Sequence, residues 1–488
     1  MAVFEAEGSS DKNHGGKMPE KYDVVIVGAG TAGLSAISEV RKQTENFLLV
    51  NAGPYGTTCA RVGCMPSKVL IETANVFHRR KIFNDFGIRG GEKLEMDVPA
   101  ALSRVRHLRD AFVSGTLKTT DRLGDRSVSG RARFVAPDTL SIDGRKVHAR
   151  KIVIATGSRP VVPESWRSLK NHIITSDDLF ELENLPSSIG VIGLGPNGVE
   201  IAQALSRLGI DIEAFDMEGR IAGLSDPAIT KSAIAALEVE FPIHIGHSAT
   251  PEAEGEKVRI RFGSDSFLVD KVIAALGRRP NIDDMGLENL GLDLDDRGLP
   301  PFDPTSLQIA DLPIFIAGDV NQYQPVLHEA SDEGSIAGRN AVAQTPQCYQ
   351  RRVPLSIVFV DPGMVVVGRR FSNLEEGGYI VGEADFAQQG RAIAAAVNRG
   401  LVRVYAEKES SLLVGAEMCA PGAEHMGHLL ALAIGQRLGV NELLRMPFYH
   451  PVLEEGLRKA LRELAAQLSS GPPPDLAGCE SFAPGAMD

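Results

Sequence analysis

The chain has 488 residues, of which 43% are hydrophobic and 23% charged, a balance typical of folded α/β proteins that excludes a disordered or fibrous chain. A chain of this length is expected to form two to four domains. Its formal net charge of −12, from 51 basic and 63 acidic residues, argues against binding to nucleic acid or to anionic membranes.

Residues 1–20 contain four acidic residues, no Arg and no apolar core, so neither a secretory nor a mitochondrial leader is favoured. We expect a flexible arm there and a cytoplasmic protein. No apolar run in the chain reaches the roughly 18 residues of a membrane span. The five cysteines are too few for a disulfide scaffold, and their odd number suits a reducing compartment.

The segment YDVVIVGAGTAG predicts a buried strand followed by Gly28, Gly30 and Gly33 and then by a helix. We call residues 28–33 the first glycine turn. In this context the first glycine permits a tight turn, the second lets a pyrophosphate approach the backbone, and the third allows close packing of helix and strand. The segment therefore predicts a dinucleotide site, in which Asn51 stands where an acid would bind the ribose.

The next feature is a pair of cysteines, Cys59 and Cys64, in the segment GTTCARVGCMPSK. A zinc site would need a second ligand pair, and none is nearby. Five residues of regular helix rise about 7.5 Å, whereas disulfide Cα atoms lie roughly 4.4–6.8 Å apart, so a bridge requires a break in the helix. Gly56 and Gly63 permit that break, and a helix start beside Lys68 would make the thiols reactive. Two buried thiols on one helix are the alternative.

The same glycine pattern returns at Gly193, Gly195 and Gly198, and we call residues 193–198 the second glycine turn. Asp216 ends the following strand, at the distance expected for an acid that binds the ribose. A carboxylate there accepts hydrogen bonds from ribose hydroxyls and repels a 2′-phosphate, which predicts a preference for NAD(H). The alternative is a solvated acid at the end of a strand.

Near the C-terminus, His450 and Pro451 are predicted to stand at the start of a helix whose first turn holds Glu454 and Glu455. A leucine stripe at Leu453, Leu457, Leu461 and Leu464 predicts its buried face. An isolated His at this place is usually a cap or a surface residue. A His near neutral pKa that is held by a carboxylate is also what removes a proton from a dithiol.

The order of GAGTAG, CARVGCMPSK, IVIATGSRP, VIAALGRRPN and IFIAGDV between residues 22 and 466 resembles the pyridine nucleotide-disulfide oxidoreductases. The class in question contains dihydrolipoamide dehydrogenase, glutathione reductase and mercuric reductase, and the first of these is the most similar. The resemblance implies an α/β fold with two Rossmann-like domains, for FAD and NAD, and a C-terminal α+β dimerisation domain. It implies the following division: a flexible arm at 1–20, an FAD-binding domain at 21–160 and 281–345, an NAD-binding domain at 161–280, an interface domain at 346–468, and a flexible tail at 469–488.

The resemblance also implies roles for individual residues. Cys59 and Cys64 form the redox-active disulfide, with Cys59 exchanging with substrate and Cys64 nearer the flavin, and His450 with Glu455 acts as the base toward the other subunit of a homodimer. No metal is implied. Cofactor binding is assigned to the following residues: Gly28, Gly30, Gly33, Asn51, Lys68, Thr156, Gly157, Gly193, Gly195, Gly198, Glu200, Asp216, Gly277, Gly318, Asp319 and His328.

The expected activity is oxidation of dihydrolipoamide, or of a lipoyl-carrier protein, with reduction of NAD. Asp216 disfavours a glutathione reductase, and the single tail cysteine, Cys479, disfavours a mercuric reductase. A related flavoprotein disulfide reductase of this kind that acts on another substrate is the first alternative. A slow flavoprotein sensor or scaffold is the alternative from another class. The positions that depart from the family pattern are Asn51, Thr57, Arg61, Pro196 and Val452.

Overall fold

The computed structural model describes residues 21–468, so the arm, the tail and Cys479 lie outside the described residues. The chain divides into two compact units. The first holds residues 21–61, 111–159 and 279–350, and the second holds residues 62–110, 160–278 and 351–468. The predicted domain boundaries stay a prediction. Among the described helices, none is both long and apolar enough to cross a membrane.

The first unit is built on a seven-stranded sheet. The strand Lys21–Val27 lies at its centre and pairs in parallel with Phe47–Asn51 on one side and with Arg145–Ile154 on the other. Ile314–Ile316 continues the parallel part beside Arg145–Ile154. The central strand is apolar on both faces and almost entirely buried, as strands of a parallel sheet covered on both sides must be. The remaining strands of this sheet are Ser127–Ser129, Ala132–Ala136 and Thr139–Ile142.

The helix Thr31–Val40 packs against the helix Leu327–Val342 in the same unit. Glycine makes their close approach possible, because a Cβ added at Gly334 would lie 2.1 Å from the carbonyl oxygen of Ala32. Shorter helical elements of the unit are Thr58–Arg61, Gly124–Arg126, Leu287–Leu290 and Asp319–Asn321.

The second unit contains three sheets. Its parallel sheet has the strand order Ile243–Ile245, Asp211–Asp216, Ser188–Ile192, Lys271–Ala274 and Ile173–Ile174. A three-stranded antiparallel sheet comprises Ala249–Glu254, Lys257–Phe262 and Asp265–Val269. The C-terminal antiparallel sheet has the order Leu355–Val358, Gly363–Gly368, Leu413–Ala420, Leu401–Glu407 and Tyr379–Asp385.

The α-helices of the second unit are Cys64–His78, Ser176–Leu179, Pro196–Arg207, Pro227–Leu237, Gly390–Ala394, Ala423–Gly435, Val440–Leu444 and Glu455–Leu468. Its short 3-10 helices are Arg79–Phe86, Gly91–Lys93, Glu164–His172 and Phe371–Asn373. Three elements, Val98–Asp121, Ser158–Pro160 and Arg278–Pro280, contain chain positions at which the units divide.

The C-terminal helix differs from the sequence prediction at its start. It begins at Glu455 rather than at His450, so Glu454 is not in its first turn. The first hydrogen bond of helical spacing runs from the N–H of Arg458 to the carbonyl of Glu454, so Glu454 precedes the helix, and residues 450–454 form a turn. Leu457, Leu461 and Leu464 are fully buried as predicted, whereas Leu453 precedes the helix and is half-buried.

Candidate active site

The first glycine turn connects the strand Lys21–Val27 to the helix Thr31–Val40. Gly28 has a φ of +113°, and a Cβ there would lie 2.2 Å from the carbonyl oxygen of Ala155. A Cβ at Gly33 would lie 1.9 Å from the carbonyl oxygen of Gly28, whereas one at Gly30 would meet no atom within 4 Å. Two of the glycines therefore allow tight packing, and the third leaves open space at the start of a helix, where a phosphate binds best.

Asn51 ends the neighbouring strand and holds this turn. Its side-chain oxygen accepts a hydrogen bond of 3.1 Å from the backbone N–H of Ala29, and its amide group donates one of 2.5 Å to the carbonyl of Gly53. Asn51 therefore makes the hydrogen bonds that hold the turn, and lacks only the negative charge of the acid that is usual at this position.

Further residues predicted to bind the cofactor lie in the same unit. Asp319 follows the strand Ile314–Ile316 and accepts a hydrogen bond of 2.9 Å from the hydroxyl of Ser158. Gly318 has a φ of +81° and Gly157 a φ of +68°. The buried hydroxyl of Thr156 has no hydrogen-bond partner among the described residues. A buried polar group of this kind needs a partner, so these residues and the open first glycine turn fit a bound dinucleotide.

His328 stands in the first turn of the helix Leu327–Val342 and is exposed. Its ring lies 3.8 Å from the carboxylate of the adjacent Glu329. Its predicted position beside a flavin stays a prediction.

The second glycine turn repeats the construction of the first one. A Cβ at Gly193 would lie 2.4 Å from the carbonyl oxygen of Ala275, and one at Gly198 would lie 1.8 Å from that of Gly193. A Cβ at Gly195 would meet no atom within 4 Å. Asp216 accepts a hydrogen bond of 2.6 Å from the backbone N–H of Leu194. Asp216 therefore stands beside this turn as Asn51 stands beside the first.

A cavity of about 760 Å³ opens beside the second glycine turn. Its wall includes Gly193, Gly195, Asp216, Gly277 and Trp166, the only tryptophan of the chain. The volume lies within the range of small-molecule and cofactor sites. The open glycine, the helix start and the acid at the end of the strand fit the pyrophosphate and ribose of NAD(H).

The two predicted redox cysteines stand at a break between helices. Cys59 lies in the short helix Thr58–Arg61 and is half-buried, and Cys64 is the first residue of the helix Cys64–His78 and is exposed. Between them, Gly63 has φ −118° and ψ −119°, which is not helical. The structure thus has the backbone break that a bridge between these cysteines requires.

Thr57, one of the departures from the family pattern, occupies an unfavourable conformation. Its φ of +58° lies in the left-handed region, which costs a β-branched residue about 1–2 kcal/mol. Its hydroxyl accepts a hydrogen bond of 3.2 Å from the N–H of Ala60, which offsets part of this cost. Glycine would adopt the same conformation without strain.

Lys68 and Glu200, both assigned above to cofactor binding, form an ion pair. The ammonium group lies 2.8 and 3.0 Å from the two carboxylate oxygens, and Glu200 is buried. Phe359, which sequence reasoning missed, completes the cluster: its ring centroid lies 4.6 Å from the Lys68 ammonium, and its N–H donates a 2.9 Å hydrogen bond to Glu200. No local motif marks Phe359, because the contact arises only when distant segments fold together.

The same two helices make a second polar contact further along. Arg207 donates a hydrogen bond of 2.5 Å to the side chain of Asn75. This pair and the Lys68–Glu200 pair are both separated by 132 residues. Because both contacts join residues that are the same number of positions apart in the sequence, a step along one helix matches a step in the same direction along the other. The helices Cys64–His78 and Pro196–Arg207 therefore run parallel. Their starts, with the thiol of one and the glycine turn of the other, therefore lie at the same end.

His450 and Glu455, which are predicted to act as an acid–base pair, are hydrogen-bonded to each other. The imidazole Nδ1 donates to the carboxylate oxygens at 3.0 and 3.2 Å, and this hydrogen bond lowers the pKa of Glu455 below its ordinary value. The His450 side chain is 81% exposed, so it is accessible to a substrate or to another subunit. The N–H of Val452 donates a hydrogen bond of 3.3 Å to Glu455. Because this contact uses the backbone, it does not depend on the side chain at position 452, which departs from the family pattern.

Within residues 21–468, no group of three or more His, Cys, Asp or Glu side chains is arranged to hold a metal ion.

Comparison with known proteins supports this architecture. The family model described as pyridine nucleotide-disulphide oxidoreductase matches residues 22–334, and the model of the dimerisation domain of the same family matches residues 354–461. The chain belongs to the pyridine nucleotide-disulphide oxidoreductase family, which confirms the predicted family and fold class. FAD and NAD(H) are the cofactors of this family.

Among curated relatives, the dihydrolipoyl dehydrogenase of Haloferax volcanii is 28% identical over 466 residues, covering 91% of this chain and 96% of the relative. That of Thermus scotoductus is 28% identical over 459 residues, covering 91% and 98%. Among solved structures, LpdA from Mycobacterium tuberculosis matches with a TM-score of 0.79 and 22% identity over 91% of this chain and 99% of that one. The HOCl-induced flavoprotein disulfide reductase RclA from Escherichia coli matches with a TM-score of 0.78 and 21% identity over 90% and 99%. These two likenesses show the fold.

Proposed function

We propose that this flavoprotein disulfide oxidoreductase oxidises dihydrolipoamide, free or on a carrier protein, and reduces NAD. The observation that carries the proposal is the exposed His450 imidazole hydrogen-bonded to Glu455, in a chain that also presents Cys59 and Cys64 at a helix break. Curated relatives named dihydrolipoyl dehydrogenase support the choice of substrate.

In the proposed mechanism, His450 removes the proton from one thiol of the substrate. The resulting thiolate attacks the Cys59 sulfur, the Cys59–Cys64 bond breaks, and its electron pair goes to Cys64. The second substrate thiol then attacks the substrate sulfur bonded to Cys59 and closes the oxidised ring. Cys59 leaves with the electron pair of the broken bond and takes up the proton that this second thiol loses. Glu455 fixes the imidazole tautomer and stabilises the imidazolium that forms when the proton is taken.

Cys64 is suited to leave as a thiolate because it begins a helix. The partial positive charge at a helix start stabilises negative charge on sulfur, and Lys68 lies one turn further along the same helix. Glu200 and Phe359 hold its ammonium in place.

When bound, FAD supplies the two-electron carrier between this dithiol and NAD. The first glycine turn with Asn51, Thr156, Gly157, Gly318 and Asp319 would hold it. The second glycine turn, Gly277 and Asp216 would hold NAD(H), and the Asp216 carboxylate would disfavour the 2′-phosphate of NADPH. The dimerisation domain supports a homodimer in which His450 serves the disulfide of the partner, and a cytoplasmic location stays a prediction.

The proposal is tested by following NADH formation from dihydrolipoamide and NAD⁺. The variants Cys59→Ser and Cys64→Ser should retain bound flavin and lose NADH formation, and the control Cys348→Ser should keep it, since Cys348 lies in an exposed segment away from the cysteine pair in the sequence. Turnover retained by either cysteine-pair variant would contradict the mechanism. Activity of the wild type with another disulfide or dithiol, but not with dihydrolipoamide, would reassign the substrate.

A further inference from the structure

The cavity beside the second glycine turn is lined by two arginines, Arg220 and Arg370. Arg220 is paired with the carboxylate of Glu218 at 2.9 Å. Arg370 forms no ion pair with any carboxylate of the described residues 21–468; its guanidinium donates a hydrogen bond to the carbonyl of Gly223. Of the two arginines in the cavity wall, Arg370 is therefore the one that has no ion pair with a carboxylate of the described residues.

Arg370 is placed close to the glycine turn by a short chain of contacts. The N–H of Ala222 donates a hydrogen bond of 2.7 Å to the carbonyl of Leu194, which lies inside the turn. The next residue, Gly223, accepts the hydrogen bond from Arg370. Gly195, which precedes the helix Pro196–Arg207, and Arg370 both line the cavity, so the guanidinium and the helix start border the same space, and a helix start favours a phosphate.

A buried carboxylate fixes this arrangement. Glu417 is fully buried and accepts hydrogen bonds from the N–H groups of Ser225 at 2.7 Å and Asp226 at 2.9 Å. It also accepts one of 3.0 Å from the N–H of Phe371, the residue after Arg370. The loop that borders the cavity and the segment that carries Arg370 are thus held by the same side chain.

We propose that Arg370 binds the pyrophosphate of NAD(H), so that a residue from the dimerisation domain, residues 354–461, completes the nucleotide site. The inference rests on the proposed function, because it takes the cavity to be the NAD(H) site. A guanidinium donates two parallel hydrogen bonds to phosphate oxygens, and it adds a positive charge where the helix start already favours an anion.

The test measures binding to the oxidised, FAD-loaded protein by calorimetry, with NAD⁺, ADP-ribose and adenosine as probes. Arg370→Ala should lower the affinity for NAD⁺ and for ADP-ribose by about tenfold, because one charge-assisted contact to phosphate is lost. Adenosine, which has no phosphate, should bind the variant as it binds the wild type. The affinity of Arg370→Lys for NAD⁺ and ADP-ribose should lie between that of Arg370→Ala and that of the wild type, because lysine keeps the charge and loses the paired hydrogen bonds.

Arg369→Ala is the matched control, since Arg369 is the adjacent arginine, is exposed like Arg370, and is not in the cavity wall. It should leave all three affinities unchanged. Equal binding of NAD⁺ and ADP-ribose to Arg370→Ala and wild type would overturn the inference, as would an equal loss in Arg369→Ala. A wild-type protein that binds FAD but not NAD⁺ would overturn the proposed function itself, which separates the two failures.

Discussion

The two glycine turns share one construction and differ in one functional group. In each, the first and third glycines are packed against carbonyl oxygens, and the second faces open space. In each, the side chain that ends the next strand accepts a hydrogen bond from the residue after the first glycine, Asn51 from Ala29 and Asp216 from Leu194. The turn therefore needs an acceptor at this place but not a charge, which leaves the charge free to select the nucleotide.

The helices that follow the turns also differ in how they are held. The helix Thr31–Val40 meets its neighbour through glycines and alanines at very short distance. The helix Pro196–Arg207 meets the helix Cys64–His78 through ion pairs and hydrogen bonds of buried side chains. Close apolar packing tolerates no added atom, whereas a buried polar contact makes the structure sensitive to charge.

The largest expected effect comes from adding a methyl group to the third glycine of either turn. Gly33→Ala should lower the affinity for FAD, and Gly198→Ala the affinity for NAD⁺, each by about a hundredfold, because the Cβ cannot fit beside a carbonyl oxygen. The measurement is flavin content after purification and calorimetry with NAD⁺. Gly115→Ala is the control, since a Cβ there meets no atom within 4 Å. Loss of flavin from Gly198→Ala alone would reverse the assignment of the turns.

The next prediction concerns the polar contacts between the helices of the second unit. Desolvation, with Arg207 and Lys81 adding to it and Glu240 and Asp361 opposing it, lowers the pKa of His78 from 6.5 to about 4. The unfolded chain then binds the proton more tightly, so stability is complete above pH 6.5 and falls between pH 6.5 and 4. The loss should reach up to about 3 kcal/mol.

Denaturant unfolding at several pH values measures this loss. The variant His78→Asn should lose less stability on acidification than the wild type, and the control His425→Asn, at an exposed histidine, should behave like the wild type. Identical pH dependence for His78→Asn and wild type would contradict the lowered pKa of His78 as the source of the loss.

A smaller effect is expected from exchanging the functional groups of the two turns. Asp216→Asn should keep the hydrogen bond to Leu194, as Asn51 does with Ala29, but the preference for NADH over NADPH should fall about tenfold because the repulsive charge is gone. Steady-state kcat/KM for both nucleotides measures it, with Asp211→Asn at the exposed start of the same strand as control. An unchanged preference would mean that Asp216 only holds the turn.

The smallest prediction concerns Thr57, close to the first cysteine. Thr57→Gly should raise the free energy of unfolding by about 0.5–1 kcal/mol, because relief of the left-handed strain exceeds the lost hydrogen bond to Ala60. Thr58→Gly, at the first residue of the adjacent helix, should instead lower it by about 0.3 kcal/mol. A loss of stability in Thr57→Gly would show that the hydroxyl outweighs the strain.

Much of this comparison could be predicted from the sequence, because each glycine turn is encoded within about thirty consecutive residues. The same holds for His450 and Glu455, whose pairing depends on a spacing of five. The predicted start of the C-terminal helix was wrong, because residues 450–454 form a turn in which His450 and the Val452 N–H donate hydrogen bonds to the Glu455 carboxylate. Phe359 and Arg370 could not be predicted, because their contacts depend on how distant strands and loops come together.

Anaerobic titration of the oxidised protein with dihydrolipoamide tests the central claim most directly. The account predicts that the reduced cysteine pair produces a long-wavelength charge-transfer absorbance between a thiolate and flavin, and that added NAD⁺ then yields NADH. The Cys64→Ser variant should show no such band. A wild-type protein whose flavin spectrum does not respond to the dithiol would contradict the account.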